Sequence, residues 1–131
     1  MADLNERITK VLKKEMWYLC SGTQKPVVLA AAFKEIANDG TLAVPLFYSD
    51  EFADAVEKSG KVAVSVADEK GMHGYQIKGS AEIIKNGDTA EKWEAVVEKY
   101  IKTAKSFIGV VKISPDKIII TTPGKHNNEE I

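Results

Sequence analysis

The fold turns on the stretch from Thr41 to Ser65, Thr-Leu-Ala-Val-Pro-Leu-Phe-Tyr-Ser-Asp-Glu-Phe-Ala-Asp-Ala-Val-Glu-Lys-Ser-Gly-Lys-Val-Ala-Val-Ser. Leu42 and Val44 alternate with Thr41 and Ala43, the period of a strand with one face against a core, over 41 to 47 with Pro45 near its end. Ser49 then stands where a helix N-cap belongs, Phe52, Ala55 and Val56 make one apolar helical face, and Ser59-Gly60 ends it. Val62, Val64 and Val66 alternate with Ala63, Ser65 and Ala67 as a return strand. A strand, a loop, a capped helix and a strand put the loop where a ligand is expected.

Upstream, Leu4, Ile8, Val11 and Leu12 fall at helical spacing, which predicts a helix over 3 to 14 with Asp3 as its cap and lysines at its C-terminal end. Met16 to Cys20 reads as the first strand, and Ser21 to Pro26 as a polar turn. The all-apolar run from Val27 to Phe33 is ambiguous by period. Its β-branched start, the flanking Pro26 and the Asn38-Asp39-Gly40 turn favour a hairpin of 26 to 36 with 41 to 47.

Downstream, Asp68 to Gly71 reads as a turn reaching towards Gly74, followed by a strand from Tyr75 to Lys85 whose Gly79 suggests a bulge or sharp bend. Trp93, Val96, Val97, Tyr100 and Ile101 mark a helix after Asn86-Gly87-Asp88. A last hairpin is expected from 107 to 113 and 118 to 122 around Ser114-Pro115-Asp116-Lys117, and the polar tail 125 to 131 is expected to be loose. These elements predict a mainly β single domain over 1 to 124, a six-stranded antiparallel barrel with peripheral helices.

Composition narrows function. The 131 residues are 44% hydrophobic, enough for one domain with its own core. Their 18 basic and 19 acidic side chains nearly cancel, which argues against a nucleic-acid or anionic-membrane partner. No run approaches the ~20 apolar residues of a membrane span, so a cytoplasmic protein is expected. The single cysteine, Cys20, cannot bridge internally and reads as a small buried filler. Two histidines, His73 and His126, and no cysteine pair leave no expected metal site, and His73 reads as an exposed turn residue. No phosphate-cradling glycine loop or nucleophile elbow is present, and no catalytic acid, base or nucleophile can be named. Asp50, Glu51, Asp54 and Glu57 read as a solvated helix face. Phe47, Tyr48 and Phe52 read either as core or interface packing or as the wall of a flat-ligand pocket.

Several stretches in this order resemble the flavin-binding split-barrel superfamily of pyridoxamine 5'-phosphate oxidase-like and small FMN-binding proteins. They are the helix before strand one, the Asn38-Asp39-Gly40 hairpin, Val44-Pro45-Leu46-Phe47-Tyr48-Ser49 leading into a helix, Ala55 to Val62, Tyr75 to Glu82, and Val111 to Ile118. The resemblance implies a homodimer holding FMN at the subunit interface and acting as a flavin-dependent oxidoreductase. It implies that Pro45, Leu46, Phe47, Tyr48 and Ser49 face the isoalloxazine, that Ser49, Asp50, Glu51 and Phe52 meet the phosphate, and that Ala30, Ala31 and Ala32 line the other side. Where such proteins commonly place Lys, Arg or Thr for the phosphate, this chain has Asp50, Glu51 and Phe52, with Lys34, Lys78 or a partner's lysine left to restore the charge. Two other readings remain: a non-enzymatic split-barrel dimer without the phosphate site, or with another planar ligand such as haem, and a protein-interaction module using the exposed rings.

Overall fold

The computed structural model describes residues 1–70, 72–101 and 106–131. Gly71, expected in the turn after Asp68, lies outside them. The elements are α1 (Glu6–Lys14), β1 (Trp17–Ser21), β2 (Val27–Ala31), β3 (Glu35–Ile36), β4 (Leu42–Phe47), α2 (Asp50–Ser59), β5 (Lys61–Ala67), β6 (Gly74–Ile84), α3 (Asp88–Ile101) and β7 (Phe107–Ile120). One antiparallel half-barrel sheet of seven strands, not six, runs in the order β2-β1-β5-β6-β7-β4-β3.

The core lies on the inner face of that sheet. Alternate residues of each strand supply it: Trp17 and Leu19 from β1, Val62, Val64 and Val66 from β5, Ile77 from β6, and Val111, Ile113 and Ile118 from β7. Helix α1 closes one side with Ile8, Val11 and Leu12, and α2 closes another with Phe52, Ala53 and Val56. Ala55, expected on that face, is half-buried at its edge. The cap of α1 is Asn5 rather than Asp3, since the Asn5 side chain accepts the Ile8 N–H at 2.9 Å. Trp17 Nε1 donates to the carbonyl of Leu12 at 2.7 Å and so ties the first strand to the helix before it.

Two expected hairpins are re-partnered. The Asn38–Gly40 turn forms, but only Glu35 and Ile36 pair across it, with Ala43 and Leu42. Val27 to Ala31 instead pairs back on β1, with Cys20 opposite Val28 and Tyr18 opposite Ala30. The turn that allows this contains Gly22 at φ +95, where a Cβ would lie 2.6 Å from the Lys25 carbonyl oxygen. The Ser114–Lys117 turn does not exist. Residues 107 to 120 are one strand, because β6 is long enough to pair with both of its halves. Pro115, which has no N–H to give a ladder, sits opposite Gly79 at a register shift between Lys78 and Gly79. The bend expected at Gly79 is therefore real, and a proline absorbed by it replaces the turn.

The tail is not loose. Ile120 N–H donates to the Glu129 carbonyl and Ile131 N–H to that of Ile118, both at 2.9 Å. The last residues thus pair with the part of β7 that extends beyond β4.

The outer face of the sheet is treated unequally. Over β4 and β7 it is covered by α3, with Trp93 packed on Ala43 and Val110. Over β2, β1 and β5 it carries Val28, Ala30, Tyr18, Cys20, Ala63 and Ser65, and both Tyr18 and Val28 are more than half exposed. Cys20 is thus no core filler; it is partly exposed on this face.

Candidate functional site

The β4–α2 junction is shaped by its backbone. Tyr48 adopts φ +57, a left-handed conformation that a bulky non-glycine residue seldom takes. Its N–H donates to the Ser106 carbonyl at 3.0 Å, which holds the chain in that turn. The result projects the ring outwards, 69% exposed, between a strand and a helix.

The structure fastens the β2–β3 connection to the end of β4. Phe33, which follows Ala32 on the β2–β3 connection, meets Phe47 edge to face with ring centroids 5.9 Å apart. Tyr100 of α3 adds a third ring 5.7 Å from Phe33. The sequence places Tyr100 on the packed face of its helix, but it is largely exposed. Phe33 ends an apolar run, and nothing in its local pattern distinguishes it from the residues before it.

The expected site residues divide. Ala30, Ala32 and Tyr48 are exposed, Phe47 and Ser49 are half-buried, and Pro45 is buried opposite Val110. Ala31, Leu46 and Phe52 belong to the main core, the last two at 0% and 1% exposure, so their side chains face inwards and only their backbone borders the junction. Lys78 lies on the outer sheet face between Ala63 and Lys117, not at the junction loop. Lys34 sits with its Nζ 5.7 Å from the Trp17 ring centre. Burial pushes its ammonium pKa below the ordinary lysine value, against an opposing pull from Glu15.

The start of α2 is unsuited to a phosphate. The Ser49 hydroxyl donates to the Phe47 carbonyl at 3.1 Å and makes no cap bond to the helix. Asp50 and Glu51 occupy the first turn, both exposed. They interact well with the helix dipole, the role a phosphate would otherwise fill. The lysines beside α2 are already engaged, Lys58 with Asp54 at 3.6 Å and Lys85 with Glu57 at 3.0 Å.

Two clefts flank this helix. One, about 550 Å³, lies between α2 and the Gly22–Lys25 turn, with Lys25 and Lys58 set against Glu51 and Asp54. The other, about 420 Å³, is lined by Asp50, Glu51, Asp54 and Glu57, with Lys85 the one basic side chain among the described residues. Among the described residues, those at the N-terminus of α2 therefore do not fit a dianionic phosphate. The histidines lie elsewhere: His73, half-buried, is bonded through Nδ1 to Asp68 at 2.7 Å, and His126 pairs with Glu129 in the tail. Among the described residues there is no grouping of side chains that could hold a metal ion, and no helix long and apolar enough to cross a membrane.

No protein-family model matches the sequence, and no curated protein does. Solved structures match over nearly the whole chain. HupZ of Group A Streptococcus superposes with a TM-score of 0.71 at 15% identity, covering 95% of this chain and 98% of its own. A Lactobacillus delbrueckii protein provisionally assigned as a pyridoxamine 5'-phosphate oxidase gives 0.72 at 19% identity, covering 89% and 93%. A pyridoxamine 5'-phosphate oxidase-related, FMN-binding protein of Nostoc punctiforme gives 0.64 at 9% identity, covering 90% and 83%. At these identities the likeness is one of fold. The chain has the split-barrel fold of the pyridoxamine 5'-phosphate oxidase-like structures, as the order of its sequence elements implies.

Proposed function

We propose that this chain, a split barrel by fold, is a homodimeric binding protein for a planar ligand of the flavin class, held where the β4–α2 junction meets the β2–β3 connection. The observation that carries the reading is the Phe33–Phe47 contact, which fastens the connection that follows Ala30 and Ala32 to the end of β4, where Tyr48 is strained and exposed. Small side chains on one wall and a projecting ring on the other suit a flat aromatic guest. The uncovered face of Tyr18, Val28, Ala30 and Ala63 supports the dimer, because a contiguous apolar patch without a charged residue at its centre is rarely left to water.

The reading assigns binding. The junction offers the Tyr48 phenol, the Ser49 hydroxyl and two carboxylates, with no nucleophile set against a base. Oxidoreductase activity would therefore rest on the electrons of the bound flavin, with the protein supplying orientation. Haem, the other planar candidate, gains no support at the junction, since neither histidine lies in it: His73 is in the β5–β6 turn and His126 in the tail.

The test is an absorption spectrum of the protein before and after incubation with riboflavin or FMN and removal of free ligand, with a light-scattering mass. Retained flavin bands and the mass of two 14.4 kDa chains are expected. A protein that stays colourless with both flavins overturns the binding reading, and a single-chain mass overturns the dimer.

A further inference from the structure

Strand β7 outruns its neighbour. Strand β4 pairs with it only as far as Ile113, and the edge beyond is met first by Ala2, whose N–H donates to the Pro115 carbonyl at 2.7 Å, and then by the tail. The tail holds that edge through its backbone. Asn128 N–H donates to the Ile120 carbonyl at 2.7 Å, and Ile120 N–H to that of Glu129 and Ile131 N–H to that of Ile118, both at 2.9 Å. Asn127 Nδ2 adds bonds to the Thr121 and Thr122 carbonyls at 3.2 and 3.1 Å, while the His126–Glu129 pair lies within the tail itself. Every residue from 123 to 131 is exposed, and Asn128 is held at φ +73, a left-handed conformation that costs a non-glycine residue something. A strand with so little apolar burial opens at the low end of the stability range.

The same edge is charged. Val28, Cys20, Ala63, Lys78 and Lys117 form one row across the outer face of the sheet, in which Lys78 stands directly opposite Lys117. Like charges so placed destabilise a strand pair, and among the described residues neither ammonium has an ion-pair partner. Ile119, two residues along β7 from Lys117 and on the same face, is opposite Glu130 of the tail, which puts an acidic residue diagonally across from Lys117. We infer that the edge of β7 over 116–120 is a docking site for an extended acidic peptide segment of another protein, filled in the free chain by its own residues 128–131. Backbone pairing supplies the affinity, as in strand addition to a sheet edge. Lys117 and Lys78 select acidic side chains, because an acidic strand relieves the repulsion between them.

Fluorescence anisotropy with a labelled peptide of residues 124–131, titrated into the full chain, tests it. An Asn128→Pro variant lacks the N–H that reaches Ile120 and cannot take a φ of +73, so its own tail is released. The peptide is expected to bind this variant at least tenfold tighter than the unaltered chain, where the tethered tail competes. No saturable binding to the variant, or equal affinity for both chains, overturns the inference. A peptide carrying Glu129→Lys and Glu130→Lys should bind the variant at least tenfold more weakly than the acidic one, and equal binding overturns the acidic partner. If the variant does not fold, hydrogen exchange of the unaltered chain decides alone. The Ile120 and Ile131 amides are expected to exchange at least tenfold faster than those of the β6–β7 ladder, and equal exchange makes the tail a fixed part of the sheet and overturns the inference.

Discussion

The rings of Phe33 and Phe47 meet with centroids 5.9 Å apart and planes at 62°, and through them the β2–β3 connection is fastened to the end of β4. An edge-to-face pair is worth about 0.5–1.5 kcal/mol beyond its buried area. Truncating a fully buried Phe costs about 3–5 kcal/mol. Phe33 is half-buried, so Phe33→Ala should destabilise by about 1–3 kcal/mol in urea unfolding and also weaken flavin retention. Full retention of flavin would separate this contact from the site.

Tyr48 gives the opposite balance. A left-handed non-glycine residue costs about 1–2 kcal/mol, and a glycine returns part of that to the unfolded chain. Tyr48→Gly should raise stability by up to about 1 kcal/mol while reducing flavin affinity, the trade expected where strain serves function. A urea midpoint lower than that of the unaltered protein would show that the ring itself stabilises the fold.

Gly79 allows β7 to pass close at the bend. A Cβ there would fall 2.2 Å from the Ser114 carbonyl oxygen and 3.1 Å from Ile113 Cγ2, and the first is backbone that cannot rotate away. Overpacking costs about 1–3 kcal/mol, and Gly79→Ala should lie at or above the top of that range. Gly60→Ala is a useful contrast: no atom lies within 4 Å of its added Cβ, and its φ of +66 supplies the only strain.

On the uncovered sheet face, Val28→Lys places a charge on β2, opposite Cys20, at a position already 66% exposed. Stability of the single chain should hardly change, while, on the proposed dimer, the light-scattering mass should fall from two chains to one. Retention of the dimer would place its interface elsewhere.

Acid stability should report on the Asn38–Gly40 turn. The Asp39 carboxylate accepts the Thr41 hydroxyl at 2.6 Å and the Thr41 N–H at 3.0 Å, with Lys112 Nζ at 3.7 Å. These hydrogen bonds, the hydroxyl's first, hold its pKa below the usual carboxylate range. A depressed folded pKa means stability that is present above the unfolded value, about 3.9, and is lost as pH falls through the folded one. Urea midpoints from pH 6 down to pH 2 should therefore fall less steeply for Asp39→Asn than for the unaltered chain. Parallel curves would show that the turn does not sense the charge.

What the sequence determined by itself was local. Alternation fixed the strands around 42 to 47 and 62 to 67, spacing fixed the helix of Trp93 and Val97, and Gly79 marked a bend, because each is set by neighbours on one segment. The acidic first turn of α2 was equally legible, since Asp50 and Glu51 follow Ser49 directly. Which strands meet was decided only by the tertiary structure. Val27 to Ala31 is apolar at every position and could pair on either side, and it paired with β1 once Gly22 allowed the turn. The Ser114–Lys117 signal gave way because pairing along the whole of β6 outweighs one local turn preference. The candidate site follows the same division: its charges are read from the chain, but Phe33 joins Phe47, and Phe52 turns into the core, only because distant segments share one curved sheet.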